Sequence, residues 1–387
     1  MRTPRNREQL ILALIGSFLV VLSFGADAAT KTWTGGGANA NWTTALNWSP
    51  SGAPASGDDL VFPAGGLRPT NNNDTAAATS YNTISFTGPV GGYSLQGNAI
   101  QLAAGITANN SASNLISLDI TLTAPQTFVI TGDRLQIFGT VNLGANTLAV
   151  NNATFPSVIE FDGPVTGTGG LTATGIGFVY IQATCTYSGP TNIGGGIFGV
   201  AGGSLSTASA VSVTGAGAHL QLMNGVSVGP VTVGPGATLS CGVGGISQVG
   251  SVTDLTMQSG STFELQMNSS SDYGQLNVSG TATLGGASLF MNWAYTSASG
   301  TAFKIINKTS PGAVSGTFNG LAEGAVFTDN GRTYWITYAG GDGNDVVITD
   351  GLPNESPRVV PTLGAAGLAA LGVLLALSAL FALRRAA

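Results

Sequence analysis

The chain has 387 residues, a formal net charge of −6, only 8% charged residues and 58 glycines. Ordinary globular domains carry ~25% charged residues. So few charges beside plentiful Val, Ile, Leu and Phe exclude charge-rich disorder and point to extended β structure with Thr, Ser, Asn and Gly on its surfaces and turns. Without its two terminal segments, which hold five arginines and two acids, the body is at −9; with no basic patch to meet phosphate, nucleic acid is not an expected partner.

Residues 1–28 read as a signal peptide. Arg2, Arg5 and Arg7 form a positive start, residues 10–24 an apolar run, and Ala26-Asp27-Ala28 a small-x-small cleavage pattern. Export permits a disulfide between Cys185 and Cys241, but spacing alone does not decide between a bridge and two buried thiols.

Residues 29–82 are rich in tryptophan: Trp33, Trp42 and Trp48. Two readings stand. The indoles plug the open end of a β stack, which must hide its first rung from water and from edge pairing. Alternatively, they form a platform on which sugar rings stack.

From about residue 83 to 300 short alternating runs end in Gly, Asn or Ser turns, as in Thr127-Phe128-Val129-Ile130 and Thr140-Val141-Asn142-Leu143. Period-2 alternation marks half-buried strands. An apolar anchor recurs at Leu102, Phe128, Leu148, Leu171, Phe198, Leu220, Leu239, Phe263 and Leu289, at spacings of about 19 to 27 residues, which suit one solenoid coil. The expectation is an all-β, right-handed parallel β-helix (β-solenoid) of roughly 12 coils with capped ends, stacked ~4.8 Å apart. A sandwich of antiparallel hairpins is the competitor.

Glu160 and Asp162 flank Phe161 and so point to one face of a strand. They read as solvated carboxylates or as an acid/base pair of a glycan-cleaving β-helix. Asp133-Arg134 reads as a turn with a local charge pair. His219 is the single imidazole; no nucleophile elbow accompanies it, so it reads as an ordinary rung position.

Gly177-Phe178-Val179-Tyr180-Ile181, followed by Thr186-Tyr187-Ser188-Gly189-Pro190-Thr191-Asn192-Ile193 and Gly196-Ile197-Phe198-Gly199-Val200, resembles the autotransporter-associated β-strand repeat. Cys185 stands where that pattern has Asn. The resemblance implies a β-helical surface or secreted protein without enzymatic activity. A true autotransporter ends in a membrane β-barrel of alternating strands; the residues after Asp350 do not read as one, so export is expected to finish differently.

Residues 301–350 read as a C-terminal β cap carrying Tyr334 and Trp335. Gly340-Gly341-Asp342-Gly343-Asn344-Asp345-Val346-Val347-Ile348 fits the nine-residue calcium β-roll pattern, with Asp342 and Asp345 as candidate ligands. The plainer reading is a tight turn between two strands, because a calcium site of 6–8 oxygens needs a stacked second copy of the motif. No other cofactor or metal is expected. Residues 351–359, with Pro353 and Pro357, read as a linker.

Residues 360–387 begin Val360-Pro361-Thr362-Leu363, contain Gly367, and end near Arg384 and Arg385; residues 363–383 carry no charge. At ~1.5 Å per residue a helix of that length crosses a bilayer core, and the arginines place its end in the cytoplasm. The pattern resembles the IPTL-CTERM sorting signal, with Val360 in place of Ile and Ala366 where Trp is usual. That resemblance implies an exosortase-like processing enzyme in a Gram-negative cell. It also implies an inner-membrane-anchored precursor, then delivery to the cell surface or extracellular matrix. The leading expectation is a non-enzymatic, structural or adhesive surface β-solenoid. The alternative is a carbohydrate-binding or carbohydrate-active β-helix whose partner is a surface glycan.

Overall fold

The computed structural model describes residues 28–223 and 225–353. The expected signal peptide up to residue 27, linker residues 354–359 and the 360–387 tail lie outside the described residues. Among the described residues no helix is long and apolar enough to cross a membrane; the expected span at 363–383 falls outside them.

Parallel strands build an all-β solenoid of about 11 turns. Each turn contributes one strand to a first sheet, which stacks from Thr30–Trp33 to Ala282–Thr283, and one to a second, from Thr70–Asn73 to Ser288–Trp293. Parallel register between successive turns (Leu148 beside Leu171, Phe198 beside Leu220, Leu239 beside Phe263) excludes the antiparallel sandwich. Late in the chain a third sheet opens with Ser227–Val228 and Val249–Val252, continues to Ala302–Lys308, and finishes with three antiparallel strands up to Asp345–Asp350.

Alternation supplies the core. In Gln126–Ile130 and Leu148–Asn152 every second residue is buried, as a pleat with one face inward requires. Leu, Ile, Val and Phe from both sheets meet inside as one continuous cluster along the rod. The corner between turns is tight. A Cβ on Gly169 would lie 1.8 Å from the Asn146 carbonyl oxygen, and one on Gly189 would lie 2.4 Å from that of Gly169. Only glycine lets the coils close to rung spacing there.

The first parallel pair is already Thr30–Trp33 beside Asp59–Pro63, so the tryptophan-rich segment supplies the first rungs as well as the end of the stack. The closing element is the short antiparallel strand Trp48–Ser49, preceded by the 3-10 turn Ala45–Asn47. The anchor series changes sheet. Leu171 lies in the first sheet and Phe198 in the second, and their same-sheet partners are Thr191 and Val179, only 20 and 19 residues away.

Candidate functional site

Trp33, Trp42 and Trp48 are 0%, 0% and 2% exposed. Their indole N–H groups donate to the Leu67 carbonyl (2.8 Å), Asn71 Oδ1 (2.6 Å) and the Trp42 carbonyl (2.8 Å). Edge-to-face contacts join Trp48 to both other rings, and Phe62 packs beneath all three. No ring face is left for a sugar, which corrects the stacking-platform alternative: these rings seal the first turn.

The turn reading of residues 340–345 fits the structure. Strands Arg332–Gly340 and Asp345–Asp350 pair antiparallel, with Gly340 beside Asp345. The Asp345 carboxylate, 2% exposed, lies 2.7 Å from Lys304 Nζ and accepts the Lys308 backbone N–H at 2.9 Å. A lysine ammonium and an N–H thus hold the oxygens that calcium would need. Asp342 lies on the exposed turn, beside Asn344, whose Oδ1 is buried without a protein partner. Among the described residues no group of three or more His, Cys, Asp or Glu side chains is placed to hold a metal.

Cys185 and Cys241 are buried free thiols, raised by burial to about 11 and about 12; neither is an activated nucleophile. His219 Nε2 lies 2.8 Å from Ser240 Oγ. That contact resembles the start of a triad. However, Ser240 is fully buried and burial alone lowers the imidazole to about 4. Among the described residues no carboxylate is placed to orient the ring, and the hydroxyl is closed to solvent, so the pair does not extend into a triad.

The outer faces of the two long sheets differ in chemistry. On the first, one register row reads Thr127, Ala149, Thr172, Asn192, Ser212 and Thr232: small and uncharged. On the second, the matching row reads Gln136, Glu160 and Tyr180, then Gly199, Gln221 and Ser240, which are buried, and then Glu264 and Phe290. Gln182 and Gln136 donate to the two oxygens of Glu160 at 2.9 and 3.1 Å, and Arg134 Nη1 stands 3.3 Å from one of them. Gln136 also reaches Asp162 at 3.5 Å. Burial, then the charge of Glu160, raises the Asp162 carboxyl; burial raises Glu264 as well. The sequence paired Glu160 with Asp162, and the structure adds Gln136 and Gln182 from neighbouring turns. Only coil register reveals that the four converge.

A shallow groove of about 390 Å³ on the third sheet is lined by Ser251, Asn277 and Asn307, among others. Its amides are spent on one another, Asn307 donating to Asn277 at 2.8 Å and Asn277 to Ser251 at 3.4 Å.

Among comparisons with known proteins, the family model of the IPTL-CTERM motif matches residues 360–385. This supports a C-terminal sorting signal and suggests export to the cell surface, with processing by an exosortase-like enzyme. No curated protein and no solved structure matches the chain.

Proposed function

We propose that the protein is a non-enzymatic, structural or adhesive β-solenoid that the cell exports, holds briefly at the inner membrane by residues 363–383, and releases to its surface or matrix. The observation that carries this reading is the sorting motif at 360–385 following a continuous solenoid. A stack with its apolar residues inside presents a long, regular outer surface, as display and matrix proteins need. The stacked parallel coils also suit the autotransporter-associated repeat at residues 177–200. Their crossovers are taken as right-handed, the rule for parallel connections. In a Gram-negative host the membrane step follows from the uncharged run and the two closing arginines, which orient the body outward.

The test is cell fractionation with intact-mass measurement. A species ending near Val360, outside the inner membrane, is expected. A full-length C-terminus lodged in the inner membrane would overturn the sorting reading in favour of a permanent anchor.

A further inference from the structure

The exposed phenylalanines of the solenoid lie on or beside the second sheet, with Phe290 five rungs beyond Tyr180. Phe138 and Phe290, 46% and 53% exposed, extend from second-sheet strands or their ends. Phe155, 65% exposed, precedes the second-sheet strand Val158–Phe161. Phe178 and Tyr180, both half-buried, stand between them on the outward face of one strand, their rings within 13° of parallel and 5.8 Å apart, and Phe155 is 5.4 Å from Phe178. The next turn makes room for Tyr180 with Gly199, where a Cβ would fall 2.5 Å from Tyr180 Cδ1. Leaving Phe138, Phe155 and Phe290 largely in water forgoes the stabilisation that burying an apolar ring brings. The first-sheet row from Thr127 to Thr283 carries no ring at all.

Next to these rings lies the hydrogen-bonded group of Gln136, Glu160 and Gln182. In the free protein the amide nitrogens and Arg134 face the Glu160 carboxylate; the glutamine oxygens are left to accept, and the Gln182 amide keeps a second hydrogen to donate. A hexose matches that mixture: C–H groups cover its ring faces and hydroxyls that both donate and accept surround its rim. A lipid surface does not match, because carboxylates interrupt the apolar strip. The local charges, Glu160 and Asp162 against Arg134, disfavour a polyanion.

We propose that the outer face of the second sheet around Tyr180 binds an uncharged oligosaccharide. Its rings stack on Phe178 and Tyr180, and its hydroxyls bond to Gln136, Glu160 and Gln182. This deepens the surface reading by naming a partner class, and rests on that reading only for where the partner is met. Binding is measured on purified protein, so failure of binding and failure of sorting are separate results.

The experiment titrates the full chain, in mild detergent, with laminarin, chitohexaose, polygalacturonate and an oligolysine peptide. Binding to at least one of the two neutral glycans is expected, with little dependence on salt. Tyr180→Ala should weaken it by about tenfold, equivalent to ~1.4 kcal/mol. Glu160→Gln, which keeps the shape of the side chain, should also weaken it, and Thr232→Ala on the opposite sheet should not. The proposal is overturned if neither neutral glycan binds while the chain melts cooperatively. It is equally overturned if both second-sheet variants bind like the parent, or if polygalacturonate or oligolysine is preferred.

Discussion

The indole N–H of Trp48 donates to the backbone carbonyl of Trp42 at 2.8 Å, tying the antiparallel closing strand to the segment that covers the first turn. Both rings are buried, and they meet edge to face with centroids 5.9 Å apart. Such pairs add about 0.5–1.5 kcal/mol beyond area burial. Trp42→Ala removes one of the two rings and orphans Asn71 Oδ1, its partner at 2.6 Å. A loss of about 3–5 kcal/mol is expected in urea unfolding followed by circular dichroism. Glycan titrations of the same variant, wherever it remains folded, should match the parent. A binding defect without a stability defect would restore the sugar-platform reading.

Gly199 separates two roles of the second sheet. A methyl group there would lie 2.5 and 2.6 Å from Tyr180 Cδ1 and Cε1, closer than packed carbons allow. Gly199→Ala should push the Tyr180 ring off its seat and cost about 1–3 kcal/mol, read as a lower melting temperature. Combining it with Tyr180→Ala should restore much of that loss, because the clash disappears with the ring. If the double variant is no more stable than Gly199→Ala, the strain lies in the backbone instead.

Period-2 alternation revealed the strands, since inward residues such as Phe128 and Val150 follow it without a break, and the anchor spacing pointed to a solenoid; only the strand register excluded the antiparallel sandwich. The joint between sheets was less visible. Phe198 and Leu171 look equivalent as apolar anchors, yet belong to different sheets, because a hydrophobic residue does not record which wall of the coil it lines. The site was half legible. Glu160 and Asp162 share a face by strand geometry alone, whereas Gln136 and Gln182 come from turns 24 and 22 residues away. In the two long sheets, turn lengths of 19 to 29 residues vary too much for sequence to set that register unaided. Asp345 shows the opposite failure. A calcium-like pattern was visible, but not Lys304, supplied by a strand about 40 residues earlier.

His219 gives the protein a pH signature. Burial holds its folded-state value at about 4, below the ordinary 6.5. The unfolded chain therefore binds more protons between these values, so stability is full above pH 6.5 and falls as pH drops toward 4. Asp162 and Glu264, both raised, act in the opposite sense as they protonate. The contribution of His219 is thus read as a difference between variants. His219→Gln should flatten the slope of unfolding free energy between pH 6.5 and 4. An unchanged slope would mean that the imidazole is hydrated in the folded protein.

Lys304 and Asp345 carry the expectation for calcium at the C-terminal cap. With the Asp345 oxygens facing Lys304 Nζ and the Lys308 N–H, a cation would be left with Asp342 and the unpartnered Asn344 Oδ1, well short of the 6–8 oxygens calcium prefers. Adding calcium or a chelator should leave the melting temperature unchanged. Asp345→Asn removes the charge facing Lys304 and weakens the link between Ala302–Lys308 and Asp345–Asp350; a loss of about 1–3 kcal/mol is expected. Lys304→Met should cost less than Asp345→Asn, because Lys304 is 37% exposed while Asp345 is buried at 2%. A calcium-dependent rise in melting temperature that Asp342→Asn abolishes would overturn this account and make the turn a metal site.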